Sequence, residues 1–149
     1  MALSGFHHVE LWVADLAAVE VSWNWLLGEL GWQPYQNWPE GRSWRIGDSY
    51  LVVEQSSAVR PGLPYDRMRP GLNHLAVHAP DRETVDRLMQ DGPEHGWDRM
   101  FAESYPHAGG PEHYAAYLSD AVGFEVEVVA PAEAETEAEA EAEESIERV

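Results

Sequence analysis

Four side chains able to bind a metal recur at matching places in the two halves of this chain. Residues 8–15 read His8-Val9-Glu10-Leu11-Trp12-Val13-Ala14-Asp15, and residues 74–81 read His74-Leu75-Ala76-Val77-His78-Ala79-Pro80-Asp81. Each stretch runs into a helical pattern, so His8 and His74 open two copies of one unit. Each copy also closes on a strand that carries a glutamate, Leu51-Val52-Val53-Glu54 in the first and Val126-Glu127-Val128-Val129 in the second. The chain has no cysteine, which excludes thiolate metal sites, disulfides and a nucleophilic thiol. What remains is a nitrogen and oxygen donor set, two imidazoles and two carboxylates. Such a set suits a divalent ion of the Ni, Co, Zn, Mn or Fe type without choosing among them.

The elements that must position these groups follow from hydrophobic periodicity. Residues 6–14 alternate and are rich in aromatic and branched side chains, which predicts a strand. Asp15 is then expected to cap a helix with Leu16, Val19, Trp23, Leu26, Leu27 and Leu30 at helical spacing. Residues 32–38, 42–46 and 49–56 read as three short strands, giving the order βαβββ for a module over 6–56. Residues 57–71, rich in Pro, Gly and Arg, form the connection. A second module over 72–130 repeats the order, with a strand at 72–79, a helix capped by Asp81, and strands at 97–103, 112–119 and 124–130. Residues two apart on a strand share a face. His8, Glu10 and Trp12 therefore share one face, as do His74, Ala76 and His78, and Glu125 and Glu127, while Glu54 lies opposite Leu51 and Val53. The apolar faces go to the helices and the polar faces must line a cup.

Composition sets outer limits. The 149 residues suffice for one globular domain with a real core, and the net charge is −18, from 27 acidic and 9 basic residues. All the basic residues are arginines, with no dense stripe to neutralise phosphates, so nucleic acid is not an expected partner. No stretch approaches the roughly 20 apolar residues of a membrane helix and no basic leader precedes an apolar run, so a soluble, cytoplasmic protein without membrane partners is expected. Residues 131–149 alternate Ala and Glu and read as an acidic, low-complexity tail with no catalytic part.

The pattern resembles the vicinal oxygen chelate superfamily, which includes glyoxalase I, methylmalonyl-CoA epimerase, extradiol dioxygenases, fosfomycin resistance enzymes and bleomycin resistance proteins. The resemblance covers residues 6–130 and is carried by His8-Val9, by Asn73-His74-Leu75, and by Asp120-Ala121-Val122-Gly123-Phe124-Glu125-Val126-Glu127. Ala121 stands where the family usually has proline. The resemblance implies an α+β fold of two βαβββ modules, a curved mixed sheet enclosing a cup. It also implies metal ligands from the first and fourth strand of each module, which fall on His8, Glu54, His74 and Glu127. Four ligands on an octahedral ion leave two positions for a substrate with vicinal oxygens. The metal would act as a Lewis acid on the enediolate formed when a neighbouring carbon loses its proton. Glu54 or Glu127 would dissociate and serve as the base. The implied activity is that of a metal-dependent lyase or isomerase acting on a small molecule. A homodimer is expected, pairing His8 and Glu54 of one chain with His74 and Glu127 of another or of the same chain.

Two other readings stand beside it. Tyr117 precedes Glu127 by ten residues and His107 lies upstream, much as extradiol dioxygenases present a tyrosine and an acid–base histidine. There iron has only three protein ligands, so a fourth at Glu54 argues against ring cleavage. The antibiotic-sequestering relatives bind planar molecules by aromatic stacking, for which the seven tryptophans, Trp12 above all, supply material. Other features have plainer readings: His7, His78, His95, His107 and His113 as ordinary surface or core histidines, Asp15 and Asp81 as caps, Arg67 and Arg69 as loop arginines or an anion site. Gln55 takes the place of Glu54 if the strand slips by one residue.

Overall fold

The computed structural model describes residues 5–132; the expected acidic tail falls outside them from residue 133 onward. Two βαβββ modules are present. The first consists of β1 (His8–Trp12), α1 (Glu20–Glu29), β2 (Gln33–Trp38), β3 (Gly41–Ile46) and β4 (Ser49–Glu54). The second consists of β5 (His74–His78), α2 (Arg82–Asp91), β6 (Asp98–Met100), β7 (Ala115–Ser119) and β8 (Glu125–Val129). Each forms its own four-stranded mixed sheet, in the orders β1-β4-β3-β2 and β5-β8-β7-β6, with the outer histidine strand parallel to the last strand of its module. Short 3₁₀ turns follow α2 at Gly92–His95 and β6 at Ala102–Ser104.

Strand alternation behaves as the side-chain period requires. In β1 Leu11 is buried while His8, Glu10 and Trp12 are exposed, because one face meets the helix layer and the other does not. Val126 and Val128 face inward with Leu118, Val85 and Leu88. The first helix begins later than its apolar spacing suggests. Leu16 and Val19 are buried, but they sit in a turn ahead of α1, and Asp15 accepts a hydrogen bond from the Ala17 amide at 3.0 Å instead of capping the helix. Gln55 explains the delay. Its Oε1 accepts from the Leu16 amide at 2.8 Å, which satisfies that turn from the neighbouring strand. In α2 the expected cap is present, Asp81 Oδ1 accepting from the Thr84 amide at 2.7 Å.

The modules meet through their helical layers. Trp23 on α1 lies edge-on to Trp97, ring centroids 5.1 Å apart, and donates its indole N–H to Asp120 Oδ2 at 2.9 Å. Trp97 returns a bond to the Ser22 carbonyl at 2.9 Å. Gly96, with φ 84°, lets the chains approach this closely, since a Cβ there would stand 2.2 Å from Ser22 Oγ. Asp120 also accepts from the Val122 and Phe124 amides, yet burial outweighs these bonds and raises its carboxyl above the ordinary aspartate value. A carboxyl whose folded pKa is raised binds its proton more tightly in the native state. Its share of stability is therefore full below the unfolded pKa and is lost as pH rises through the folded one. The stability of the wild type relative to Asp120→Asn should accordingly fall as pH is raised from strongly to weakly acidic, measured by denaturant titration at each pH; a rise would show that the hydrogen bonds outweigh burial.

No helix among the described residues is long and apolar enough to cross a membrane.

Candidate functional site

Glu127 is the centre of the second module's polar face. Only 7% of it is exposed, so its carboxylate needs partners, and three side chains supply them. Tyr117, directly opposite on β7, donates its hydroxyl to Oε1 at 3.0 Å. His113 Nε2 contacts the same oxygen. His74 Nε2 lies 3.1 Å from Oε2. The phenol of Tyr117 is pushed up to about 12, first by burial and then by its bond to a carboxylate that would repel a phenolate.

The loop before β7 shapes this cluster. Phe101, in the left-handed region with φ 54°, sets its ring edge-on against Tyr117. Gly109 lies so close that a Cβ would stand 2.5 Å from the His113 ring and 2.7 Å from the Tyr117 hydroxyl. His107 Nδ1 reaches the His113 carbonyl at 3.1 Å, bracing the loop. His74 is held from its other side. Its Nδ1 lies 2.8 Å from Asn73 Oδ1, while Asn73 Nδ2 donates to the Arg67 carbonyl at 3.1 Å. Arg67 itself makes a close charge contact with the buried Glu125, Nη1 to Oε2 at 2.8 Å, and Arg69 pairs with Asp66. Arg67 thus ties the connection to β8, and Arg69 pairs within the connection.

The first module is built differently. His8 stacks on Tyr50 with centroids 4.8 Å apart and planes 7° from parallel, and its Nδ1 lies 2.9 Å from that of His7. Glu54 lies on the His8 face but engages Glu10 and Trp38. Its carboxyl is raised, first by the hydrogen bond with Glu10 and then by desolvation. Strand register also corrects the expected symmetry. In the second module His74 is opposite Glu125, which places Glu127 opposite Ala76. In the first, His8 is opposite Tyr50, so the counterpart of Glu127 is Val52, and Glu54 stands opposite Trp12. Glu54 is therefore two residues, about 7 Å, farther along its strand than the matching position. The two glutamates are not equivalent. His8 and His74 are.

His113 and Asn73 were missed as members of the site. His113 has the parity of Tyr117 within the expected strand 112–119, which was a usable signal, although β7 itself starts only at Ala115 and His113 reaches the site from the loop ahead of it. Nitrogen and oxygen donors of the kind that divalent cations accept are present in the pair His74 and Glu127, with His113 on the same carboxylate. Among the described residues of one chain, however, no three His, Asp or Glu side chains converge as a metal's ligand set.

Residues 7–117 match the family described as the Glyoxalase/Bleomycin resistance protein/Dioxygenase superfamily. The chain belongs to this superfamily. Among relatives of this glyoxalase-like protein, the uncharacterized protein YqjT of Bacillus subtilis is 41% identical over 125 residues, spanning 84% of this chain and 98% of that one. The crystal structure of a candidate glyoxalase from Bacillus halodurans is 45% identical with a TM-score of 0.79, covering 84% of this chain and 94% of the other. A glyoxalase/bleomycin resistance protein from Albidiferax ferrireducens shares the fold at 21% identity, with a TM-score of 0.67 over 85% of this chain and 98% of its own. Two glyoxalase-like modules, each with its histidine on the first strand, thus form an α+β protein of this superfamily.

Proposed function

We propose that this protein is a metal-dependent enzyme of the glyoxalase type, a lyase or isomerase that moves a proton on a small substrate with vicinal oxygens. The observation that carries the reading is the buried Glu127 carboxylate set against the His74 imidazole nitrogen at 3.1 Å. A divalent ion, when bound, supplies Lewis acidity toward two adjacent substrate oxygens. His74 and Glu127 would hold it, together with His8 from a first module. A homodimer offers that His8 from a second copy. Tyr117 and His113 steady the carboxylate, and burial and the bond to Glu127 keep the phenol neutral. The offset of Glu54 leaves it for a supporting or base role on the rim, paired with Glu10.

One observation favours a second reading. With Glu54 displaced from the ligand register, the donors reduce to His8, His74 and Glu127, a two-histidine, one-carboxylate triad of the kind that oxygenases use, and Tyr117 precedes Glu127 by ten residues, the spacing at which the ring-cleaving relatives present a tyrosine to the substrate. Metal titration followed by substrate assay tests both. The wild type should bind Mn, Co or Ni stoichiometrically, and His8→Ala, His74→Ala and Glu127→Ala should each weaken binding at least 100-fold, while Glu54→Ala changes it by less than about 10-fold, the lower end of what outer partners contribute. Turnover of a 2-oxoaldehyde hemithioacetal supports proton transfer, and turnover of a catechol supports ring cleavage. Absence of metal with tight binding of aromatic compounds, drawing on the 47% exposed Trp12 on the His8 face of β1, would replace both with sequestration.

A further inference from the structure

We infer that Arg45 binds a carboxylate of the substrate, so that this protein acts on small acids. Strand register puts Arg45 in line with His8: both stand opposite Tyr50, one on β3 and the other on β1. Residues paired across neighbouring strands share a face, so His8, Tyr50 and Arg45 point to the same side of the sheet, the polar side of the first module. Ring contacts make this row continuous. Tyr50 lies between the stacked His8 ring and the Tyr35 ring, whose centroid is 5.4 Å away, and the Arg45 guanidinium lies over Tyr35, 5.3 Å from its centroid. Two strand spacings, about 10 Å, separate the backbones of His8 and Arg45.

Arg45 is held in place but not neutralised. Its Nε donates to the Gly47 carbonyl at 3.0 Å and Tyr35 backs its plane, which leaves the two terminal nitrogens to donate elsewhere. The chain has 27 acidic residues to 9 basic ones, and Arg42, Arg67, Arg69 and Arg87 each pair with a carboxylate. Arg45 pairs with none among the described residues. An exposed, oriented guanidinium on the His8 face is a ready partner for an anion. A carboxylate is the anion it fits. One guanidinium fork offers two parallel donors, which match the two oxygens of a monoanion, whereas a phosphate dianion needs more donors and is repelled more strongly by a net charge of −18. That the carboxylate belongs to the substrate rests on the proposed function; that Arg45 binds one does not.

The NMR signal of the Arg45 Nε–H, assigned by its loss in Arg45→Gln, reads binding in the metal-free protein. Titration with 3-mercaptopropionate should move it saturably, and the neutral 2-mercaptoethanol should not. The signal of Arg60, an exposed arginine of the connection, should stay in place. Equal shifts at both arginines, no shift at Arg45, or tighter binding of inorganic phosphate would overturn the inference. The hemithioacetals of one 2-oxoaldehyde with the same two thiols carry the test to the reaction. With metal supplied, kcat/KM should favour the charged adduct by about 10-fold or more, the scale of one hydrogen bond to a charged group. Arg45→Gln should bring that ratio to about 1, and Arg45→Lys should keep part of it, because the charge remains without the planar fork. Arg60→Gln should leave the ratio as in the wild type. Equal turnover of both adducts by the wild type would overturn the inference and leave proton transfer standing. A saturable shift at Arg45 with neither adduct turned over would support the carboxylate site and count against proton transfer.

Discussion

Glu127→Gln should abolish stoichiometric metal binding and lower turnover of the native substrate by about 10²–10⁴-fold, the range that positioned acid–base groups contribute. The carboxylate meets three side chains with two oxygens: Tyr117 and His113 on Oε1, His74 on Oε2. An amide has one acceptor oxygen. If that oxygen stays with Tyr117 and His113, its NH₂ faces His74 Nε2; if it turns to His74, the NH₂ faces two donors. The first orientation is the better one and preserves the Tyr117 bond without the charge. The Tyr117 phenol, pushed up to about 12 by burial first and by the Glu127 bond and charge next, should therefore ionise at lower pH in the variant but stay above the ordinary tyrosine value, because burial remains. Ultraviolet titration of the tyrosinate band checks this without any substrate. An unchanged phenol would mean that burial alone holds it up.

The order of elements was legible because two periodicities alternate cleanly along the chain, and the helix cap at Asp81 follows from local chemistry alone. Asp15 looked the same and differs because Gln55, 39 residues from Leu16, supplies the acceptor that this turn needs; no local pattern encodes that. The limit at the site has the same physical cause. Parity identified the face on which Glu54 and Glu127 lie, since side chains alternate along any strand. Parity repeats every two residues, however, and says nothing about translation along the strand. Only the pairing of Glu54 with Trp12 against that of Glu127 with Ala76 reveals the two-residue offset. The histidines escaped this ambiguity because each opens its strand and the pairing starts from it. Tyr117 was legible by spacing. His113 left the parity it shares with Tyr117 but reaches the site from a glycine loop, and Asn73 acts through a backbone carbonyl, which leaves no periodic trace.

Trp23→Ala should cost about 3–5 kcal/mol of stability, the range for truncating a buried aromatic side chain. Trp23 is 1% exposed and carries two jobs at the junction of the modules, its edge packed on Trp97 and its N–H given to Asp120. Truncation leaves a cavity and also strands a buried acceptor. Trp23→Phe keeps much of the packing but not the donor, and should cost about 1–3 kcal/mol, the penalty for an unsatisfied buried polar group. Denaturant melts give both numbers, and a double-mutant cycle with Asp120→Ala isolates the indole bond. The effect on the site should be selective, because Trp23 joins the modules while the Glu127 cluster lies wholly within the second. In folded Trp23→Ala the Tyr117 phenol should still ionise near 12, since Tyr117, His113, His74 and Glu127 depend on the pairing of β5, β7 and β8 and on the loop before β7, all within the second module. Metal affinity should fall, because His8 sits on the module that has lost its anchor. If instead the phenol shifts and metal affinity does not, the two halves would be less independent than their separate sheets imply, and His8 would have no place among the ligands.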